Sequence, residues 1–293
     1  MPFLCYAGMI ATGQASPPRL ALVVGNSSYD IGPLGNPVND AALMESTLRE
    51  LGFSVTRVDD ASRVQFERAV VAFSRDLRNA GSDAIGLFYY AGHGVQAAGE
   101  NYLIPVDAQV TDLLDLRIQA IDVSTVMASL EAAEHRLNIV ILDACRNNPF
   151  RSIQRSASRG LAKIDAPYGT LVAYATAPGD VALDGDGRNS PYSLALSKAM
   201  KRPGLQIEQI FKRTRIEVME RTGQRQVPWE SSSLVGDFTF DPAGTGTSAL
   251  DTVTTGSSIP SSSQSDNDRL FWESIRESDN PAMFEAYLDA YPT

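Results

Sequence analysis

Residues 139–150 read IVILDACRNNPF. Four aliphatic residues run into an acid, a small residue, a cysteine and an arginine, and the pattern then breaks into Asn-Asn-Pro. An aliphatic run of this kind, bounded by turn residues, marks a strand buried on both faces. Extended back to Leu137, it predicts a strand LNIVILD with Asp143 at its end and Cys145 in the loop beyond. Strands buried on both faces belong to parallel sheets, and parallel strands need long crossovers, usually helices, between them.

The surrounding sequence supplies both. LALVV (20–24) predicts a first strand that runs into Gly25-Asn26. In NPVNDAALMESTLRELGF, Asn39 or Asp40 can cap a helix whose apolar positions are Leu43, Met44, Leu48 and Leu51, with Gly52 as its stop. FSVTRV (53–58) predicts a second strand, and Ala61 to Asn79 a second helix with Val64, Phe66, Val70, Val71, Phe73 and Leu77 apolar. AIGLFYY (84–90) predicts a third strand, ending in AGHG. A Gly-rich excursion follows, then NYLIPV as an extended segment, Val123 to Glu134 as a helix, and LNIVILD as the fourth strand. GTLVAYATA (169–177) and SLVGDFTF (233–240) read as the fifth and last strands, with helices over Pro191–Met200 and Ile207–Arg221. This alternation predicts a doubly wound α/β domain: a mostly parallel six-stranded sheet with helices on both faces.

Composition bounds the function. A chain of 293 residues, 43% hydrophobic and 20% charged, suits one large domain, or one domain plus an appendage. The net charge of -10 excludes nucleic acid and anionic membrane as main partners, since both need a basic face, and favours a cationic substrate. Residues 19–240 form the expected domain, 241–268 a Ser/Thr/Gly-rich linker, and 269–293 a helical hairpin or the start of a repeat, with Leu270, Phe271, Trp272, Ile275, Phe284, Tyr287 and Leu288 apolar. Residues 1–18 carry an apolar run from Pro2 to Ala11 and a small-residue stretch ending Gln14-Ala15-Ser16. That reads as a secretory signal lacking its basic start, for a periplasmic or secreted protein, or as a tail on a cytoplasmic one. No stretch is apolar for long enough to span a membrane.

In open parallel sheets, sites form beyond the carboxyl ends of the strands. His93 follows the third predicted strand and Cys145 the fourth, so the two are within reach if those strands are neighbours. The other histidine, His135, sits at a predicted helix end, where a cation complements the helix dipole. The only other cysteine, Cys5, is remote in sequence, so Cys145 is expected to be a free thiol. A thiol is activated by an adjacent imidazole, and glycines on both sides of His93 leave the Gly94 amide available to a developing oxyanion. That combination describes acyl transfer through a thioester. Singly, Cys145 reads as a structural cysteine and AGHG as a turn; together, at successive strand ends, they favour the dyad.

The stretches YYAGHGVQ, NYLIPVDA, ILDACRNNPF and VAYATAPGD carry a family resemblance. Residues 19–240 resemble the caspase-like cysteine peptidases, in particular their bacterial metacaspase or orthocaspase branch. The resemblance implies a caspase-like fold, a His93–Cys145 dyad, endopeptidase activity on protein or peptide substrates, and no cofactor or catalytic metal. Caspases that cleave after aspartate read it with arginines and a glutamine. Here the glutamine position is Asp143, no cation lies between Arg19 and Arg49, and Asp184 falls near the second arginine position, with Asp180 or Asp186 as alternatives. The metacaspase pattern places a second pocket acid at Asp40, which reads equally as a helix cap. A pocket lined by carboxylates repels aspartate and pairs with a cation, so cleavage is expected after Arg or Lys, Arg being preferred for its bidentate geometry.

Calcium-dependent metacaspases carry an acidic stretch before the PVD strand, whereas this chain has only Glu100 there, which does not favour calcium activation. The loop after Cys145 holds Arg151, Arg155 and Arg159, which read as sites of self-cleavage or as a solvated basic loop. Caspases dimerise through a sheet edge and metacaspases are generally monomeric; the residues favour neither. The alternative from another class is a non-catalytic caspase-like scaffold acting through the C-terminal helices, which has no need of both His93 and Cys145. A nucleotide-binding reading finds neither G-x-G-x-x-G nor a P-loop lysine after the first strand.

Overall fold

Alternating aliphatic strands and amphipathic helices assemble as the periodicity predicts. The computed structural model describes residues 16–133, 137–144, 150, 157–158 (backbone only) and 161–241. All of these fall in the first of two units into which the chain divides, Met1–Thr245; the second, Gly246–Thr293, lies outside the described residues. In chain order the elements are β1 (Arg19–Gly25), α1 (Pro37–Glu50), β2 (Ser54–Asp59), α2 (Arg63–Ala80) and β3 (Ile85–Ala91). Next come β4 (Gly94–Ala97), β5 (Glu100–Leu103), α3 (Leu113–Gln119), β6 (Ile121–Asp122), α4 (Val123–Glu131) and β7 (Leu137–Asp143). The series closes with β8 (Ala157–Ser158), β9 (Thr170–Tyr174), α5 (Pro191–Met200), α6 (Ile207–Thr222) and β10 (Trp229–Ser232).

Six strands form the central sheet in the order β10-β9-β7-β3-β1-β2, all parallel except β10. The helices α1, α5 and α6 pack together on one face, and α2 packs with α4 on the other. The central strands β3 and β7 are buried along their whole length. Ile139, Val140, Ile141 and Leu142 are fully buried, which at roughly 1.5–3 kcal/mol for each such side chain fixes β7 in the sheet and with it the point where Asp143 emerges. On α2, Phe66, Val70, Phe73 and Leu77 face the core, while Val64 and Val71 are exposed. The Ser62–Gln65 capping box starts that helix two residues later than the apolar pattern suggests.

Three features depart from the sequence reading. First, α1 begins at Pro37 with Asn36 at the N-cap, so neither Asn39 nor Asp40 caps it; proline at the first helical position sets the start, and Asp40 lies inside the first turn. Second, the last strand is β10, before SLVGDFTF rather than within it. The alternating Phe238 and Phe240 instead pack edge to face at 4.9 Å, and the Arg19 guanidinium lies 5.4 Å from the centre of Phe238. Arg19 also donates to the carbonyls of Leu51, Thr239 and Phe240. Burial lowers its pKa, with Asp241 acting in the opposite direction. Third, the excursion after β3 forms a second sheet, β6-β5-β4-β8, over a small core that includes Tyr29, Val95, Tyr102, Ile104 and Leu116. Its strands have two to four residues each, too short for a period to declare itself.

Candidate active site

The carboxyl end of the sheet carries the site, and the β3–β7 ladder determines its width. The two strands pair in parallel with Ala91 opposite Asp143, and the Gly92 amide continues the ladder by donating to the Asp143 carbonyl at 3.3 Å. His93 is two residues past this last pair on one strand, and Cys145 is two residues past it on the other. Cys145 lies outside the described residues, as do His135, Arg151, Arg155, Arg159, the residues up to 15 and the whole of 269–293.

His93 is buried, with only 4% of its surface exposed, and it is oriented by the loop between β1 and α1. Its Nε2 is 2.7 Å from the Gly32 carbonyl oxygen. A carbonyl only accepts, so Nε2 carries a proton, and of the two ring nitrogens only Nδ1 can then serve as an acceptor. The Tyr29 ring packs 4.5 Å from the imidazole, and its hydroxyl receives a hydrogen bond from the His93 amide at 3.0 Å. The His93 carbonyl accepts from Tyr90 and from the Ile104 amide.

The loop that delivers Gly32 is held by Asp60 at the end of β2. Asp60 Oδ1 accepts from the Ser27 and Ser28 amides, and Oδ2 from the Ser28 hydroxyl. Burial acts to raise the Asp60 pKa, but the bonds from Ser28 and Ser27 outweigh it and leave this carboxyl below its ordinary value. The His93 ring is thus fixed through a chain that begins on a different strand.

Gly94 is where the two loops touch. A Cβ placed there would lie 2.4 Å from the Ala144 carbonyl oxygen, 3.0 Å from its Cβ and 3.1 Å from Leu161 Cδ2. The bond from the Ile104 amide to the His93 carbonyl makes Gly94 and Leu103 a non-hydrogen-bonded pair, so the Gly94 amide points away from β5. Gly94→Ala must therefore displace the backbone immediately before Cys145. It is expected to destabilise by about 1–3 kcal/mol, lowering Tm by about 2–4 °C for each kcal/mol, with a larger loss of peptide hydrolysis than stability alone explains. Melting curves and rates on the same preparation check this.

The acids fall into two groups. Asp143 is fully buried, and its Oδ2 accepts from the hydroxyls of Ser190 at 2.6 Å and Ser193 at 2.9 Å. Asp40 is also fully buried, and its Oδ1 accepts from the Ser190 amide and the Asn189 side chain, both at 2.9 Å. The fold therefore brings Asp40 and Asp143 together around one serine. Asp184 is half-buried, and its carboxylate accepts from the Gly35 amide and its carbonyl from the Asn36 side chain. It ties the β9–α5 connection to the start of α1. Sequence reasoning missed Ser190 and Ser193. The Ser-Pro pair opening α5 announces a helix start, but nothing local points to partners as far along the chain as Asp40 and Asp143.

With this geometry in place, comparisons with known proteins converge. The family described as Caspase domain matches residues 18–239. The chain is 31% identical over 129 residues to the mucosa-associated lymphoid tissue lymphoma translocation protein 1 of Homo sapiens, which covers 44% of this chain and 15% of that protein. It is 32% identical over 137 residues to the Mus musculus homolog, covering 46% of this chain and 16% of that protein. The similarity thus spans less than a fifth of either relative's length.

Proposed function

Since this chain belongs to the caspase domain family, we propose that it is a cysteine endopeptidase in which His93 and Cys145 cleave peptide bonds after arginine or lysine. The observation that carries the reading is the β3–β7 register, which ends level at Ala91 and Asp143, each two residues short of its half of the dyad. His93 Nδ1 takes the Cys145 proton as the sulfur attacks the scissile carbonyl. The Gly94 amide stabilises the oxyanion, and the imidazolium gives its proton to the departing amine. Water activated by the same nitrogen then hydrolyses the thioester, returning the thiol.

Specificity comes from Asp143 and Asp40, whose common anchor at Ser190 supports a pocket for a cationic side chain. Asp184 contributes by ordering the loop ahead of Asp40. Hydroxyls, an amide and a carboxamide donate to these two carboxyl groups, and a guanidinium is the partner that pairs best with two such acceptors. The preference for Arg over Lys follows from the match between a planar fork of donors and two fixed acceptors.

Three matched fluorogenic peptides ending in Arg, Lys or Asp test this. The expected order is Arg above Lys, with Asp uncut, and no change on adding calcium or a chelator. Preferred cleavage after Asp would overturn the pocket assignment. On a gel, self-processing should convert the full chain into two fragments, and replacing Arg151, Arg155 and Arg159 together should leave it whole. Two fragments from the triple variant would remove that part of the proposal.

A further inference from the structure

We infer that Ser190 is a positioning residue of the specificity pocket, and that by tying Asp143 to Asp40 it sets the preference for arginine over lysine. The inference deepens the Arg/Lys reading above and rests on it. Ser190 is fully buried at the N-cap of α5, where its hydroxyl accepts from the Ser193 amide. The same hydroxyl donates to Asp143 Oδ2 at 2.6 Å, while the Ser190 amide donates to Asp40 Oδ1 at 2.9 Å. One residue therefore bonds a carboxylate at the end of β7 and another in the first turn of α1. The distance between the two acids is governed by how α5 begins.

A second hydroxyl reinforces the Asp143 arm. Ser193 donates its single proton to Asp143 Oδ2 at 2.9 Å, so the 2.6 Å contact between Tyr89 and Ser193 has Tyr89 as donor. The chain Tyr89 to Ser193 to Asp143 is fully buried and runs back to β3, the strand that ends at His93. Asp143 is thus oriented from β3 and α5 at once, and these hydroxyls are neutral, so they fix the carboxylate without cancelling its charge.

The consequence for substrate choice follows from donor geometry. A guanidinium offers its N–H groups in a rigid plane and needs acceptors at fixed positions, whereas an ammonium is a compact charge whose three donors rotate to suit. Loosening Asp143 relative to Asp40 therefore costs an arginine substrate more than a lysine one. A residue that only stabilised the fold would lower the amount of active enzyme and leave this ratio alone.

The test compares wild type, Ser190→Ala and Ser193→Ala on fluorogenic peptides that end in Arg or Lys. Rates are normalised to the Cys145 peptide labelled by iodoacetamide. Both variants are expected to raise KM for the Arg peptide by about 10-fold, with kcat per labelled site little changed, and to lower the Arg-to-Lys ratio several-fold. Ser193→Ala keeps the helix cap, so it decides the matter if Ser190→Ala does not fold. An unchanged Arg-to-Lys ratio in folded, labelled variants overturns the inference while leaving the Arg/Lys reading intact. A wild type that cuts after neither residue overturns that reading, and this inference with it.

Discussion

Cys145→Ala is expected to abolish peptide hydrolysis, whereas His93→Ala is expected to lower kcat/KM by about 10²–10⁴-fold and leave a residual rate that climbs with pH. The two losses differ because the groups do different work. Without the sulfur no thioester forms. Without the imidazole, the thiol still supplies a few per cent of thiolate at neutral pH, and a thiolate is intrinsically nucleophilic. That residual rate should rise about tenfold per pH unit for as long as the thiol is mostly protonated. Wild type should depend less steeply on pH if Nδ1 takes the thiol proton, with Nε2 held by the Gly32 carbonyl at 2.7 Å. His93→Ala should also suffer more on an amide than on an activated ester, whose leaving group needs no proton. A His93→Ala enzyme with the wild-type rate, or with a flat pH profile, would remove histidine from the mechanism.

The alternation of strands and helices, and the ends of the third and fourth predicted strands, were legible because they follow from period and burial. The aliphatic run Ile139–Leu142 of β7 and the apolar run of β3 mark strands buried on both faces, and their ends then lie where open parallel sheets place their sites. What could not be read is carried by backbone atoms or by distant partners. The Gly32 carbonyl that sets the His93 tautomer has no side chain to advertise it. Asp60, which holds that loop, reads locally as a turn residue at a strand end, and its positive φ of 47° belongs to such a turn. Asp40 reads in the sequence equally as a cap and as a pocket acid; Pro37 fixes the helix start, so Asp40 does not cap it and instead accepts from the Ser190 amide. The pairing of Ser190 with both acids is a property of chain packing. The glycine after His93 was legible as a potential amide donor, but its crowding against Ala144 emerges only once both loops are placed.

Asp143→Asn is expected to lower kcat/KM for an Arg peptide by on the order of 30- to 5,000-fold, the equivalent of about 2–5 kcal/mol for losing one partner of a desolvated charge pair. The substitution preserves shape, and the carboxamide oxygen can still accept from Ser190 or Ser193, so folding is little affected. What it removes is the negative charge two residues before the nucleophile. That same charge disfavours a nearby thiolate, so its loss should leave alkylation of Cys145 by iodoacetamide unchanged or slightly faster. Hydrolysis of the Arg peptide thus falls while alkylation does not, if Asp143 reads the substrate. A general weakening of the site would depress both. Asp40→Asn should act in the same sense on the Arg peptide, because Asp40 shares the Ser190 anchor, and the double variant should lose less than the product of the singles, as neighbours around one residue do. Retention of Arg cleavage by Asp143→Asn, with alkylation intact, would move specificity away from the end of β7 and onto residues beyond it.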